Sequence, residues 1–381
     1  MLDVTFLNGE VLRQHGPRME VLSLSGGRIV EHRLPKRVDL DGYMLLPGII
    51  DAHGDGFERH VAPRRGAMKQ IAAGVMAAEA ELAANGITTA VLAQFYSWEG
   101  GVRGPEFAGR MMAAVTEVRP QVATDLIPQL RFEYNMLYDY AELPRKIADW
   151  NVPYVVFNDH LPHDRLASRR RPKGLTGQAL RAGRDPEKHF AMLLDMHACR
   201  SEVPQAMDQL CRALNAAGVR LGSHDDPDAD TRAKWRARGV RISEFPETLA
   251  VAVAARGAGD HIILGAPNVV RGGSHKGNAS ALELIAMGFC DALASDYHYP
   301  SPKRAAFVLA DGGVCGLAEA WSLISSGPAR VLGLSDRGDL EPGLRADLVI
   351  LDKQSRHVAA TIAAGRVSFM SGPVASRFLA A

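Results

Sequence analysis

The chain has little of what would mark a secreted, membrane-spanning or nucleic-acid-binding protein. Only four cysteines occur in 381 residues (Cys199, Cys211, Cys290 and Cys315), and none forms a C-x-x-C pair. A dense disulfide framework is excluded, and reduced thiols in a cytoplasmic protein are expected. The charges nearly cancel, with 44 Lys and Arg against 43 Asp and Glu. No global field is left to attract nucleic acid or an anionic membrane. No apolar run approaches the roughly 18 residues needed to cross a bilayer, and the stretch 77–84 is broken by Glu79 and Glu81. The opening Met1-Leu2-Asp3-Val4-Thr5 lacks the basic start and apolar centre of a signal peptide. The phosphate-loop spacing G-x-x-x-x-G-K-[ST] is also missing, as are internal repeats and low-complexity tracts.

What is present is alternation. Short apolar runs alternate with Ala-rich helical patterns through the middle of the chain, the signature of βα units around a parallel sheet. Eight runs read as strands: 48–51, 88–93, 128–132, 154–157, 220–222, 241–243, 261–264 and 292–294. Eight such units predict an α/β fold, a (β/α)8 TIM-like barrel, which takes about 250 residues. Helices are expected at 72–85 and 203–217, closed by Gly86 and Gly218. The stretch 162–187 is basic and interrupted by Pro172, Gly174, Gly177, Gly183 and Pro186. It reads as a loop insertion above the barrel. Both chain ends, 1–46 and 337–381, look like short strands between turns, leaving 47–336 for the barrel.

Potential metal ligands fall at or just past the ends of these runs: His53, Asp55, Glu133, His160, His224 and Asp296. The C-terminal ends of barrel strands are where active sites are built, and imidazole with carboxylate suits zinc, manganese or iron. His53 and Asp55 are two apart, which in a strand puts both on one side. Glu133 could bridge two ions or merely pair with Arg131. A single histidine at a strand end is more often structural, but six such residues in this order form a specific pattern. Asp296 could touch a metal and also accept a proton from the attacking water, making it the candidate catalytic base.

Basic residues follow these positions: Arg59, His60, Arg64 and Arg65; Arg165, Arg169, Arg170, Arg171 and Lys173; Arg271, His275 and Lys276 after Asn268; Lys303 and Arg304. In a nearly neutral chain this gathers cations at one face and suits a multiply anionic substrate, although each loop alone could simply be solvated. The run 272–278 is glycine-rich and contains Ser274. It leads into a helical pattern at 279–287, with Asn278 the expected N-cap, an arrangement that offers N–H groups to phosphate.

Pro47-Gly48-x-x-Asp51-x-His53 and Gly343-Leu344-Arg345-Ala346-Asp347-Leu348-Val349 resemble the amidohydrolase superfamily. That resemblance implies a barrel flanked by a small β-sandwich made from both chain ends. A narrower resemblance runs through 53–60, Asn158-Asp159-His160, 222–226, Glu244-Phe245-Pro246, 265–278 and Ser295-Asp296-Tyr297. These segments are similar to the α-D-ribose 1-methylphosphonate 5-triphosphate diphosphatase family, the phosphonate-metabolism protein PhnM. The resemblance implies a hydrolase that acts on a small phosphorylated sugar and releases pyrophosphate. It also implies His160 and His224 on the fifth and sixth barrel strands, and this motif order is taken over the strand count, which gives the fourth and fifth. Gly54, Gly56 and Phe57 depart from the family's usual His-Thr-Asp-Asn-Leu-Glu motif, and Arg169-Arg170-Arg171 is also unusual.

The expected site holds two divalent metal ions, zinc first, with manganese or iron also compatible. One ion takes His53, Asp55 and Asp296, the other His160 and His224, with Glu133 between them. Arg59, His60, Asn268, Arg271, Ser274, His275 and Asn278 are expected to bind substrate. Neither nucleic acid nor membrane is an expected partner, and a homo-oligomer is compatible with the sequence. Two alternatives remain open: a deaminase or amide hydrolase acting on a small anionic substrate, and a non-catalytic protein that binds a phosphorylated metabolite or serves in a lyase assembly.

Overall fold

Two sheets organise the chain in a computed structural model that describes residues 1–62, 70–272 and 279–381. The first five strands are β1 (Val4–Arg13), β2 (Gly16–Ser25), β3 (Arg28–Val30), β4 (Arg37–Asp39) and β5 (Tyr43–Pro47). Eight more follow: β6 (Ile49–Gly54), β7 (Ile87–Tyr96), β8 (Asp125–Glu133), β9 (Tyr154–Asn158), β10 (Arg220–His224), β11 (Ile242–Glu244), β12 (His261–Gly265) and β13 (Ala292–Ala294). The last three are β14 (Leu348–Asp352), β15 (Val358–Ala363) and β16 (Arg366–Met370).

Strands β6 to β13 form one eight-stranded sheet in chain order. A parallel bridge between Gly54 and Asp296 joins its two ends, which closes the expected (β/α)8 barrel. All eight expected runs correspond to strands: the last has the expected bounds, the run 241–243 is shifted by one residue to Ile242–Glu244, and the others reach further at their C-terminal ends. The whole of β7 is buried, as befits strands covered on both faces. Gly86 and Gly218 follow the helices Ile71–Ala84 and Val203–Ala216 with φ of 85° and 74°. That left-handed conformation is the one glycine adopts without cost.

The other strands form a mixed sheet in the order β16-β15-β14-β5-β1-β2-β3, with β4 beside β1. Both chain ends supply its core: Phe6, Leu24 and Leu45 pack with Leu348, Ile350, Ile362 and Phe378. Antiparallel pairing of β14 with β5, from Leu348 opposite Pro47 to Asp352 opposite Tyr43, stitches the two ends together.

By proximity the chain divides into two compact units: residues 1–92 with 116–127 and 261–381, and residues 93–115 with 128–260. In the second unit, buried Arg232 donates to Ser223 Oγ at 2.8 Å, Val240 O at 2.5 Å and Ile242 O at 3.3 Å, and pairs with Asp226 at 3.3 Å. These bonds lock β10 against β11. The stretch 162–187 is not the expected loop. It contains the helices His163–Ala167 and Leu175–Arg181 and the start of Pro186–Ala198. Gly174 and Gly183 break it into pieces with φ of 79° and 69°, and the Asp185 side chain caps the last helix by accepting from Glu187 N and Lys188 N. Among the described residues no helix is long and apolar enough to cross a membrane.

Candidate metal centre

The first unit carries His53, Asp55 and Asp296. His53 is fully buried one residue before the end of β6. The backbone ties all three together: Asp296 N donates to His53 O at 3.0 Å, and Asp55 N donates to Asp296 O at 2.9 Å. Asp51 braces the same seam, accepting from Ser295 N at 2.8 Å and from Ser295 Oγ. Burial pushes the Asp51 carboxyl up to about 6, against the pull of these bonds. One expectation needs correction. Strand β6 ends at Gly54, and its pairing with β7 shifts between Asp51 and Gly54. Strand alternation therefore does not reach Asp55, which is placed by its bond to Asp296 instead.

The second unit carries Glu133, His160 and His224. Glu133 ends β8 and is fully buried. His160 lies two residues past β9, donates its backbone N–H to Glu133 Oε2 at 3.0 Å, and meets Oε1 through Nδ1. Trp98 Nε1 also donates to Glu133 Oε2, at 3.3 Å. Burial pushes the His160 imidazole down, but the bond and charge of Glu133 outweigh it, so the pKa lies above the ordinary value. These partners differ from the surface pair with Arg131 that the sequence left open. Arg131, 4% exposed, stacks over the Phe95 ring at 4.0 Å and approaches His224 Nε2 at 3.0 Å. A guanidinium can only donate, so Nε2 is the acceptor and the ring proton sits on Nδ1, which faces Asp225 Oδ1 at 3.5 Å. A ring nitrogen in that state has the lone pair a metal needs. A second expectation needs correction: His160 follows β9 and His224 ends β10, the fourth and fifth barrel strands, not the fifth and sixth that the motif order implied.

Strain collects at these strand ends. Asp225, Phe245 and Asp296 adopt φ of 56°, 54° and 55°, values uncommon outside glycine and typical of sites whose surroundings over-determine them.

The expected substrate residues are less uniform. Arg59 and His60 both pair with Glu81, and Arg59 also donates to Tyr297 O at 3.0 Å. Arg271 is exposed at the end of the short helix Ala266–Arg271 and donates to Asn268 Oδ1 at 2.7 Å. Arg171 pairs with Glu187 and stacks over Phe190, while Arg165, Arg169 and Arg170 are exposed. Ser274, His275 and Asn278 lie outside the described residues. The helix that follows is Ala281–Ala286 with Ser280 in the N-cap position, so the expected start at 279 with Asn278 as cap is not borne out. Sequence reasoning also missed Glu244 at the end of β11, with Arg131 and Trp98. Glu244 was detectable, because it follows the expected run 241–243 as Glu133 follows 128–132.

Residues 61–369 match the amidohydrolase family. The chain is 32% identical over 338 residues to the alpha-D-ribose 1-methylphosphonate 5-triphosphate diphosphatase of Escherichia coli (strain K12), covering 86% of this chain and 88% of that protein. Its fold is similar to that of N-isopropylammelide isopropylaminohydrolase from Burkholderia multivorans, with a TM-score of 0.65, 16% identity and coverage of 96% and 98%. It is also similar to that of the beta-aspartyl dipeptidase from Fervidobacterium islandicum AW-1, with a TM-score of 0.64, 14% identity and coverage of 98% of each chain. Strand-end imidazoles and carboxylates on a closed barrel, with a family match over most of the length and a close curated relative, lead to one assignment: the chain is an amidohydrolase-family enzyme, a hydrolase, and belongs with the α-D-ribose 1-methylphosphonate 5-triphosphate diphosphatases.

Proposed function

We propose that this enzyme hydrolyses α-D-ribose 1-methylphosphonate 5-triphosphate to the 5-phosphate and pyrophosphate, using divalent metal ions in the cytoplasm. The 32% identity to the E. coli diphosphatase carries this reading. The donor set fits such ions: imidazole and carboxylate groups at strand ends, His53 and Glu133 fully buried among them, with the His224 ring proton on Nδ1 and its acceptor nitrogen, Nε2, beside Arg131. His53, Asp55, Glu133, His160, His224 and Asp296 would hold two ions, zinc first, manganese or iron otherwise. Ions held there would supply Lewis acidity, polarising a phosphoryl oxygen and lowering the pKa of the attacking water towards about 7.

The protein's own groups do the rest. Asp296 accepts the proton of that water as its oxygen bonds to the α-phosphorus, and the bond from the α-phosphorus to the bridging oxygen breaks to release pyrophosphate. Arg59, His60, Asn268 and Arg271, with Ser274, His275 and Asn278, would hold the phosphates and offset their charge. The small phosphorylated sugar is the partner this reading implies. The test is to give purified, metal-reconstituted protein this triphosphate and ATP side by side, measuring pyrophosphate and ammonia. Pyrophosphate from the ribose triphosphate supports the reading. No pyrophosphate from it, or ammonia released from amine substrates instead, overturns the reading.

A further inference from the structure

Barrel strand six ends in a carboxylate that the ligand set above leaves out. Glu244 is fully buried at the end of β11 and stands opposite His224 in the β10–β11 ladder. The register carries that level across four strands. Glu133 pairs with Asn158, Phe157 pairs with Ser223, and His224 pairs with Glu244. Residues level with one another in neighbouring strands project from the same face of the sheet. Glu133, His224 and Glu244 therefore face one side at one height. An oxygen of Glu244 and a ring nitrogen of His224 lie within 4.8 Å of each other.

Two neutral donors fix this carboxylate. Tyr154 donates its hydroxyl to Oε1 at 2.6 Å, and Gln129 Nε2 donates to the same oxygen at 3.0 Å. Both are buried, and both start four residues below the level of Glu244, at Cα partners in the β8–β9 ladder. Tyr154 reaches that height because Gly222 has no side chain: a Cβ there would lie 2.8 Å from the Tyr154 hydroxyl and 3.2 Å from Val156 Cγ2. Two donors converging on Oε1 set the plane of the carboxylate and the direction of its other oxygen. Directly after Glu244 the chain turns through Phe245 at φ 54°, whose ring meets the His224 imidazole edge-on at 4.9 Å. A bulky residue held in that conformation marks a geometry the fold maintains at a cost. An outer partner that fixes one oxygen so the other can bind a cation is how proteins orient carboxylate ligands.

We propose that Glu244 is a metal ligand beside His224, and that Tyr154 and Gln129 are its positioning residues, acting through the gap at Gly222. The inference rests on the metal-dependent reading above and adds a donor to it. The test measures zinc and manganese affinity by chelator competition, with metal content by mass spectrometry, on reconstituted wild type, Glu244→Gln, Tyr154→Phe and Gly222→Ala. Tyr154→Phe should keep the metal count but weaken affinity by the roughly 10–100-fold typical of losing an outer partner. Gly222→Ala should act in the same direction, because its methyl pushes the hydroxyl away. Glu244→Gln should lose more than Tyr154→Phe, down to one ion fewer per chain. Should Glu244→Gln fail to fold, Tyr154→Phe decides alone, since it keeps both the carboxylate and the ring packing. Wild-type affinity in Tyr154→Phe, or in a folded Glu244→Gln, overturns the ligand assignment while metal dependence stands. Wild type that binds no divalent ion overturns both.

Discussion

Gly54 and Asp296 pair across the seam of the barrel, and no side chain other than hydrogen fits at Gly54. A Cβ there would lie 2.6 Å from Asp51 Oδ2, 3.0 Å from Ser295 Oγ and 3.2 Å from the Tyr299 ring. The seam thus holds a candidate ligand, His53, and the candidate base, Asp296, by backbone bonds that need Gly54 small. Gly54→Ala should destabilise the protein by about 1–3 kcal/mol, the usual cost of overpacking, and should lower metal affinity. Chemical denaturation with and without added zinc measures both. An unchanged midpoint would show that the seam relaxes around a methyl group.

Asp296→Asn isolates proton transfer from backbone geometry. Asp296 sits at φ 55°, a conformation asparagine tolerates as well as aspartate does, so the seam should survive the change. Turnover should fall by about 10²–10⁴-fold, the usual contribution of a positioned general base, with KM little changed. A loss below tenfold in steady-state kinetics would move the base elsewhere, with Asp225 the next candidate.

Most of the barrel and three of the candidate ligand positions were legible because parallel strands covered on both faces are uninterrupted apolar runs. Their ends name their last residues, and His53, Glu133 and His224 fall within a residue of those ends. Glu244 follows the same rule, directly after the run 241–243, but it entered only as part of the Glu244-Phe245-Pro246 motif and was given no role. Its support was illegible for a different reason: Tyr154 meets Glu244 across 90 positions of sequence, through a gap at Gly222 that exists only in one strand register. The segment 162–187 misled because its glycines and prolines read as loop, when they punctuate short helices. Arg59 and His60 read as free cations because their partner, Glu81, lies on a helix whose facing depends on tertiary packing.

Asp347 should make stability depend on pH below neutrality. It is buried beside the β14–β5 pairing, accepts from Ala364 N at 2.7 Å and pairs with Arg345 at 3.0 Å. Burial outweighs the guanidinium and pushes its carboxyl from 3.8 up to about 6. A carboxyl raised in the folded state favours folding when protonated. That contribution is complete below about pH 4 and is lost as pH rises through about 6. Asp347→Asn keeps an acceptor for Ala364 N and removes the titration. Relative to wild type it should gain stability between pH 4 and pH 7, by roughly 3 kcal/mol at most. Urea midpoints at the two pH values read this directly. A variant that instead falls further behind at pH 7 would show that the Arg345 pair outweighs burial.

Arg271→Met should weaken a polyphosphate substrate far more than a short, weakly charged one. Arg271 ends the helix Ala266–Arg271 immediately after β12, at the C-terminal side of the barrel, and Gly272 turns the chain away at φ 76°. Its guanidinium donates to Asn268 Oδ1 at 2.7 Å, an exposed bond of the kind that holds a side chain in one direction but contributes little to stability. Methionine keeps much of the stem's length and packing while removing the charged fork. Each charge-assisted hydrogen bond to phosphate contributes about 1.5–3 kcal/mol, so KM for the triphosphate should rise roughly ten- to a hundredfold. If the contact is equal in the ground and transition states, kcat should change little. Asn268→Ala separates orientation from charge: it frees the arginine without removing it and should raise KM by less than Arg271→Met. Kinetics at low and high salt complete the test, because an arginine that meets the polyphosphate gives wild type a steeper salt dependence than the mutant. An unchanged KM in Arg271→Met, with the salt dependence of wild type, would confine Arg271 to its bond with Asn268 and take it out of the substrate site.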